Sequence, residues 1–324
     1  MEAEPEDSSA IRALFEKVFE HEMSERHWDW KYQHGRGQGV VVKHGDEIVA
    51  FYGAVKRIVS SRGELTNTLQ CVDTMVDTSQ RGSLSKKGPY YLAATTFLQS
   101  YIGFDKPYLF GYGFPNARVM KLGEILGVQA DIGSVVELEW QPKLAAGLTG
   151  SRITLDAGEH GELVTTLWNA MSSSLADRIV VVRDIDYLLY RYNENPSHEY
   201  QVHLVASGSD DVLGVLVTRN ANGKLLVLDM VAQLANYPLL ISFARDLAAR
   251  SSLSAVTTWT AEPDVGLFAS SEPTVESDNR SPDSGDTLVR EIGVKIPTSV
   301  CSPGPSPESL QDAWFLLAGD TDFL

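Results

Sequence analysis

The sequence predicts a mixed α+β protein of two tandem domains, each a mostly antiparallel twisted sheet flanked by helices. Apolar helical stripes and apolar strand runs follow one another as helix, three strands, helix, strand, helix, strand, and elements in the same order recur in the second half. The length of 324 residues is long for one domain and comfortable for two. We therefore predict domains at 1–142 and 161–324, joined at 143–160 by a linker rich in Gly, Ala and Thr.

The first domain begins with a capped amphipathic helix, in which Ile11, Leu14 and Phe15 share one stripe. Two apolar runs about the turn at 44–46 predict a hairpin, and a third run at 65–76 extends it to three antiparallel strands.

An aromatic cluster lies between this helix and the hairpin. Trp28, Trp30 and Tyr32 could line an acceptor pocket, but their spacing favours a buried corner between helix and strand.

A basic turn after the third strand is the strongest functional signal in the sequence. It runs from 80 to 88, carries Arg81, Lys86 and Lys87 in an otherwise acidic chain, and is followed by Pro89, a favoured first residue of a helix. The free N–H groups and positive dipole end of that helix, together with the three cations, suit a phosphate or pyrophosphate. The alternative is that the three cations form an ordinary solvated loop.

The second half repeats several elements of the first. Trp30-Lys31-Tyr32 is echoed by Tyr190-Arg191-Tyr192, and Val72-Asp73 by Leu228-Asp229. The segment that directly follows Val231, residues 232–238, has no Arg-Gly turn and no basic residue, so we expect one anion site, in the first half.

A known family shares this order of motifs. A strand, the Arg81-Gly82 turn, a helix, and then Phe114-Pro115-Asn116 opening a helix that ends at Leu126-Gly127-Val128 resemble the GCN5-related N-acetyltransferase (GNAT) superfamily. The turn departs from the family pattern, because Leu84 stands where a second glycine is usual and Gly88 comes late. The resemblance implies that acetyl-CoA or another short acyl-CoA binds at the turn, at the preceding strand and at the later helix. The implied binding residues are Met75, Val76, Arg81, Gly82, Ser83, Ser85, Lys86, Lys87, Gly88 and Asn116.

The same resemblance implies an N-acyltransferase acting on the amine of a small molecule. A lysine-like amine is mostly protonated at neutral pH, so transfer needs a base. Candidates are Asp73, Asp77, Asp229 and Glu137, although each acid could equally cap a turn or face solvent.

The general acid is less clearly indicated by the sequence. The family commonly protonates the leaving thiolate with a tyrosine, and the matching position here is Gly123. Tyr112 and Asn116 are the alternatives, although Asn116 also suits a simple helix N-cap. The predicted catalytic residues are thus Asp73, Tyr112 and Asn116.

Three functions remain open from the sequence: an N-acyltransferase, a module that binds without catalysis, and a plain scaffold that would not bind acetyl-CoA. Tandem architecture of this kind also resembles enzymes that acylate nucleotide-linked amino sugars or antibiotics, which makes an amino sugar one acceptor class to consider. The absent tyrosine and the atypical glycine pattern favour instead a degenerate module that binds CoA or a partner without catalysis.

The composition of the chain limits which binding partners and which cellular location we expect for the protein. The net charge of −16 and the pI near 4.8 argue against a nucleic-acid surface and accommodate an amine. We expect no membrane span, a cytoplasmic monomer or homodimer, and no metal site, because no His pair or Cys spacing suggests one. Cys71 and Cys301 are expected to be buried thiols, and each histidine to be a surface or structural residue. The polar, acidic segment 270–287 is expected to be a mobile loop.

Overall fold

The structure is a computed structural model that describes residues 1–80, 85–208, 211–268 and 287–321. Arg81, Gly82 and Ser83 of the predicted anion turn lie outside the described residues, as does nearly all of the predicted loop at 270–287.

The first half has the predicted order of elements, with one further helix, α2 (Glu25–Tyr32), before the first strand. The aromatic corner is also confirmed, because Trp28, Trp30 and Tyr32 are buried in the second helix, which leads into the first strand. The elements are α1 (Ser8–Phe19), α2 (Glu25–Tyr32), β1 (Gly37–His44), β2 (Glu47–Ser61), β3 (Glu64–Val76), α3 (Pro89–Tyr101), β4 (Phe110–Tyr112), α4 (Ala117–Leu126) and β5 (Gln129–Trp140).

The second half also contains the predicted strands and helix in order, with further elements among them, including the 18-residue helix α5 (Ala157–Ser174) and the 13-residue strand β12 (Thr287–Ser299). Its elements are β6 (Leu148–Ile153), α5 (Ala157–Ser174), β7 (Ile179–Val181), α6 (Ile185–Leu188), β8 (Gln201–Ser207), β9 (Asp211–Ala221), β10 (Lys224–Ala232), α7 (Tyr237–Arg250), β11 (Val256–Ala261), β12 (Thr287–Ser299), α8 (Pro307–Leu310) and β13 (Trp314–Phe315). The segment predicted as a linker, 143–160, holds β6 and the start of α5.

The described strands form two sheets that exchange elements between the halves. The six-stranded sheet has the order β13-β7-β2-β3-β4, with β1 also paired to β2, and the seven-stranded sheet has the order β12-β5-β11-β10-β9-β8-β6. Strands β7 and β13 of the second half therefore complete the first sheet, whereas β5 of the first half lies in the second sheet. A sequence boundary near 142 does not separate the two sheets.

The sequence echo has a structural counterpart. The hydroxyl of Tyr32 donates to Asp73 on β3 (2.6 Å), and the hydroxyl of Tyr192 donates to Asp229 on β10 (2.8 Å). A register irregularity interrupts the strand pairing beside each aspartate. The cation at Asp73 is Lys31, whereas Asp229 is paired with Arg183. This agreement supports a tandem repeat.

Helices cover both faces of the first sheet and leave two apolar clusters there. One cluster packs α1 and α2 against the sheet and includes Phe15, Met23 and Val72. The other packs α3 and the end of α4 against the opposite face and includes Tyr52, Phe97 and Leu126, with Cys71 against it.

Candidate active site

The candidate site lies where two parallel strands of the first sheet part. Strands β3 and β4 pair only over Thr68–Gln70 and Phe110–Tyr112. Beyond that point β3 continues to Val76, whereas the chain after β4 turns through 113–116 into α4. A cavity of about 650 Å³ lies between these two segments.

This cavity reaches both faces of the sheet. Cys71 and Val72 both line it, and as consecutive residues of a strand they point to opposite faces. Their packing agrees, because Cys71 lies with the α3 and α4 cluster and Val72 with the α1 and α2 cluster. A molecule in the cavity could thus extend from one face of the sheet to the other.

A β-bulge marks the point where β3 crosses the cavity. Gly53 pairs with Val72 and Phe51 with Met75, so Tyr52 on β2 faces two residues, Asp73 and Thr74, on β3. The extra residue, Asp73, has a φ of +50°, in the left-handed region that aspartate tolerates better than most side chains. The bulge brings both Asp73 and Thr74 into the cavity wall.

Asp73 is held by two partners from α2. The Lys31 ammonium lies 2.8 Å from its carboxylate, and the Tyr32 hydroxyl donates to it at 2.6 Å. The Lys31 and Asp73 side chains are only 3% and 7% exposed. A carboxylate that is buried, ion-paired and hydrogen-bonded is poorly suited to take a proton from a substrate.

The opposite face of the cavity carries polar groups that keep their protons. The Gln129 side-chain amide donates to the Tyr52 hydroxyl (3.2 Å), and the Tyr90 hydroxyl donates to Gln129 Oε1 (3.4 Å). Burial raises the pKa of Cys71 to about 12, and it also raises the pKa of Tyr52 and Tyr90. These groups are therefore neutral at physiological pH.

Position 123 has no room for a larger side chain, because Gln129 and Tyr90 fill the space beside it. A Cβ atom at this position of α4 would lie 2.7 Å from Gln129 Oε1 and 3.4 Å from the Tyr90 hydroxyl. A tyrosine at position 123 would clash with this arrangement.

Two helix N-termini lie at the cavity. Helix α3 begins at Pro89, as predicted, and its second residue, Tyr90, lines the cavity. Asn116 also lines it and is the N-cap of α4, its side-chain oxygen accepting from the Val119 N–H at 3.0 Å. The positive ends of both helices are therefore directed toward the cavity region.

The described part of the anion turn leads directly into α3. Ser85 accepts hydrogen bonds from Lys87 and Gly88 and so shapes the turn. Lys86 and Lys87 are exposed, and the N-cap residue Gly88 offers no side chain to the first N–H groups of the helix. Those N–H groups have no partner within the helix.

The structure does not bring Tyr112 to the cavity. Its side chain is buried against Trp314, with ring centroids 4.4 Å apart, and its hydroxyl has no hydrogen-bond partner among the described residues. Met75 likewise points into the α1 and α2 core, and Val76 packs against the other cluster. Neither Met75 nor Val76 lines the cavity.

The other three candidate bases lie outside the cavity lining, and each has an ion-pair or hydrogen-bond partner. Asp77 follows β3 and pairs with Lys17 at 2.6 Å, and this contact, with further hydrogen bonds from Ser79, lowers its pKa to about 2. Asp229 is buried against Arg183. Glu137 lies on β5 in the second sheet, where the Trp259 indole donates to it at 3.3 Å.

Sequence reasoning missed the histidines of the site. His21, His27 and His198 all line the α1 and α2 side of the cavity, together with Glu22. His27 Nδ1 is hydrogen-bonded to the hydroxyl of Ser197, which comes from the second half. The pKa of His198 is lowered to about 4. Partial burial is the largest cause, followed by the electrostatic effects of Arg219, Arg191 and His27. The only sequence signal was that His27 and Lys31 lie one turn apart on one helix.

The described residues contain no group of three or more His, Cys, Asp or Glu side chains placed to hold a metal ion. None of their helices is long and apolar enough to span a membrane.

Comparisons with known proteins find similarity at the level of structure. No protein-family model matches the chain. No curated protein matches it in sequence.

Three solved structures illustrate the likeness. A conserved protein of Enterococcus faecalis V583, described as a probable N-acyltransferase, is 12% identical with a TM-score of 0.65 over 92% of this chain and 71% of that one. A GCN5-related N-acetyltransferase from Anabaena variabilis ATCC 29413 is 12% identical with a TM-score of 0.64 over 93% and 72%. An N-myristoyltransferase of Saccharomyces cerevisiae with bound myristoyl-CoA is 11% identical with a TM-score of 0.50 over 81% and 72%.

Structural similarity at 11–12% sequence identity establishes the fold. Two mixed sheets flanked by helices agree with these neighbours over nine tenths of the chain in the first two cases. The chain has the fold of the GCN5-related N-acetyltransferases.

Proposed function

We propose that this protein is an N-acyltransferase that moves an acetyl or other short acyl group from acyl-CoA to the amine of a small molecule. The observation that carries the proposal is the cavity that reaches both faces of the sheet between β3 and the segment 113–116. Such a cavity lets a thioester enter from one face and an amine from the other, so that the two reactants meet inside the protein.

The residues on the α3 and α4 side fit an acyl-CoA. A pyrophosphate suits the first turn of α3 and the turn at Ser85–Gly88, because N–H groups that have no partner within the helix, the helix dipole and the Lys86 and Lys87 ammonium groups all favour an anion. The pantetheine arm, which is neutral and amide-bearing, suits Asn116 and the protonated groups around Gln129. The bound thioester would supply an electrophilic carbonyl carbon.

The residues on the α1 and α2 side fit an amine acceptor. Glu22 is an exposed carboxylate at this side of the cavity, and the chain as a whole carries −16. A cationic amine is attracted by that field. An amino sugar would also find hydrogen-bonding partners in His21, Ser197 and His198. The backbone of the bulge at Asp73 and Thr74 lies between the two sides and is suited to orient the acyl carbonyl.

A thiol-release assay tests the proposal. Wild-type protein is incubated with acetyl-CoA and a panel of small amines that includes amino sugars, and free CoA is measured. Calorimetric binding of CoA is measured in parallel for wild type and Lys86→Glu/Lys87→Glu. We expect thiol release with at least one amine and CoA binding at least tenfold weaker in the double variant. Arg81→Glu tests the sequence-predicted cation in the same way.

A matched control changes charge elsewhere. Lys106→Glu/Lys143→Glu makes the same charge change at two exposed lysines outside the cavity lining and should leave CoA affinity within about twofold. Equal weakening in both double variants would mean that net charge, and not a site at α3, governs binding. CoA binding without thiol release would support the alternative of a binding module, whose motivation is the absent tyrosine at position 123. No binding at all would refute both.

A further inference from the structure

The proton acceptor of the proposed reaction can be sought among the groups at the α1 and α2 side of the cavity. An alkylamine must lose a proton to attack a thioester, and the acceptor of that proton needs to lie within the site. The carboxylates predicted from the sequence do not meet this need. Asp73 is occupied by Lys31 and Tyr32, and Asp77, Asp229 and Glu137 do not line the cavity.

His27 occupies a suitable position. It is half-buried on α2, lines the cavity, and lies one helical turn before Lys31, whose ammonium reaches the bulge at Asp73. Imidazole is the side chain whose ordinary pKa lies near neutral pH, which suits it to accept and release protons under physiological conditions.

The ring of His27 is fixed from the other half of the molecule. Its Nδ1 is hydrogen-bonded to the Ser197 hydroxyl, and its ring packs against Trp30 with centroids 5.4 Å apart. Trp30 in turn stacks on Tyr190 at 4.9 Å, and its indole N–H donates to the Tyr190 carbonyl at 3.0 Å. The segment 190–197 therefore fixes both the position of α2 and the orientation of this imidazole.

We propose that His27 is the general base for the acceptor amine and that Ser197 is its positioning residue, an inference that rests on the proposed acyltransferase function. In the tautomer that this role requires, Nδ1–H donates to the Ser197 oxygen, and Nε2 accepts the proton. The second half of the chain then contributes to the site by orienting a base that the first half carries.

The step balances without a further reactant. The alkylammonium first gives one proton to His27 Nε2. The neutral nitrogen then forms a bond to the acyl carbonyl carbon, and the carbon–sulfur bond breaks with its electron pair on sulfur. The second proton of the nitrogen passes to the thiolate, and the histidinium releases its proton to solvent. The net products are the amide, the free thiol of CoA and one proton.

The charged groups around His27 are compatible with this cycle. Besides His27, the cavity lining contains three groups that are or can become cationic, Lys31, His21 and His198, and two acids, Glu22 and Asp73. The Lys31 charge is compensated by Asp73, and His198 stays neutral above about pH 4.

Two amines of different basicity test the proposal on the whole chain. The assay compares wild type and His27→Gln with acetyl-CoA and either a primary alkylamine, which is protonated at pH 7, or hydroxylamine, which is already neutral there. We expect His27→Gln to lower kcat by about 10²- to 10⁴-fold with the alkylamine and by less than tenfold with hydroxylamine. CoA affinity, measured by calorimetry, should stay within twofold.

A rescue experiment separates chemistry from structure. Added imidazole should restore part of the alkylamine rate to His27→Ala, and Ser197→Ala should lower kcat and shift the pH profile without changing CoA binding. His44→Gln, the same substitution at an exposed position outside the cavity, should behave as wild type.

The outcomes that overturn the proposal are distinct. An equal loss with both amines, or no rescue by imidazole, would assign His27 a structural role, and an unchanged alkylamine rate would exclude it as the base. If wild type itself releases no thiol with any amine, the proposed function fails and this inference fails with it. Melting temperatures of all variants identify any that are unfolded.

Discussion

Lys31 and Asp73 form a buried ion pair across the candidate site, with Nζ 2.8 Å from the carboxylate and both side chains less than 10% exposed. Removing one partner leaves the other charged and buried, which costs more than the pair itself contributes. The pair joins α2 to the β3 bulge and so fixes the wall of the cavity.

We expect Lys31→Met and Asp73→Asn each to lower the free energy of unfolding by about 3–5 kcal/mol. Asparagine is chosen because it tolerates the left-handed backbone at position 73. The double variant should be more stable than the sum of the single effects predicts, because no lone charge remains. Urea denaturation measures all three.

The exposed pair Lys121–Glu124 is the control for that experiment. Its side chains are 70% and 36% exposed, so Lys121→Met should cost less than about 1 kcal/mol. A loss of the same size at both pairs would contradict the assignment of burial as the cause.

Gly123→Ala is expected to destabilise the protein by about 1–3 kcal/mol and to weaken CoA binding. The new methyl group would lie 2.7 Å from Gln129 Oε1, so Gln129 and its contacts with Tyr52 and Tyr90 would have to move. Thermal unfolding and CoA titration measure the two effects.

Gly161→Ala is the matched control within helix α5. Nothing lies within 4 Å of a Cβ atom there, so alanine should stabilise the protein by about 0.5–1 kcal/mol through its higher helix propensity. A stabilising effect at position 123 as well would show that the space beside Gln129 is not filled.

Variants of Asn116 separate its two predicted roles. Asn116→Ala removes the N-cap of α4 and should cost about 1 kcal/mol, whereas Asn116→Ser retains a capping oxygen and should cost little. If Asn116 also contacts the acyl donor, Asn116→Ser should bind CoA more weakly than wild type despite normal stability. Equal CoA affinity in wild type and Asn116→Ser would mean that Asn116 is only the N-cap of α4 and does not contact the acyl donor.

Asp77 should contribute stability that is lost in acid. Lys17 and Ser79 lower its pKa to about 2, so its folded-state pKa lies below the unfolded value near 3.8. The contribution is therefore complete above about pH 4 and disappears as the pH falls toward 2. Because Lys17 is half-exposed, we expect Asp77→Asn to cost no more than about 1 kcal/mol at pH 7.

The measurement is the difference in unfolding free energy between wild type and Asp77→Asn from pH 7 to pH 2. The difference should shrink to zero at the acid end. A difference in unfolding free energy that grows as the pH falls would contradict a lowered pKa of Asp77 in the folded protein.

Much of the fold could be predicted because it depends on local patterns. The start of α3 followed from Pro89, the β1–β2 hairpin from two apolar runs about a turn, and the repeat from the recurrence of Tyr190-Arg191-Tyr192. The place of β5 could not be predicted, because its partners β11 and β12 begin more than 100 residues later.

The sequence by itself determined most of the element order of the first half, the tandem character and the basic turn before α3, since these are properties of neighbouring residues. Only the tertiary structure decided which side chains share the cavity. Lys31 meets Asp73 across 42 positions and His27 meets Ser197 across 170, and neither approach leaves a local pattern. Such contacts arise from how sheets and helices pack, and a one-residue bulge at Asp73 was enough to bring Asp73 and Thr74 together into the cavity wall.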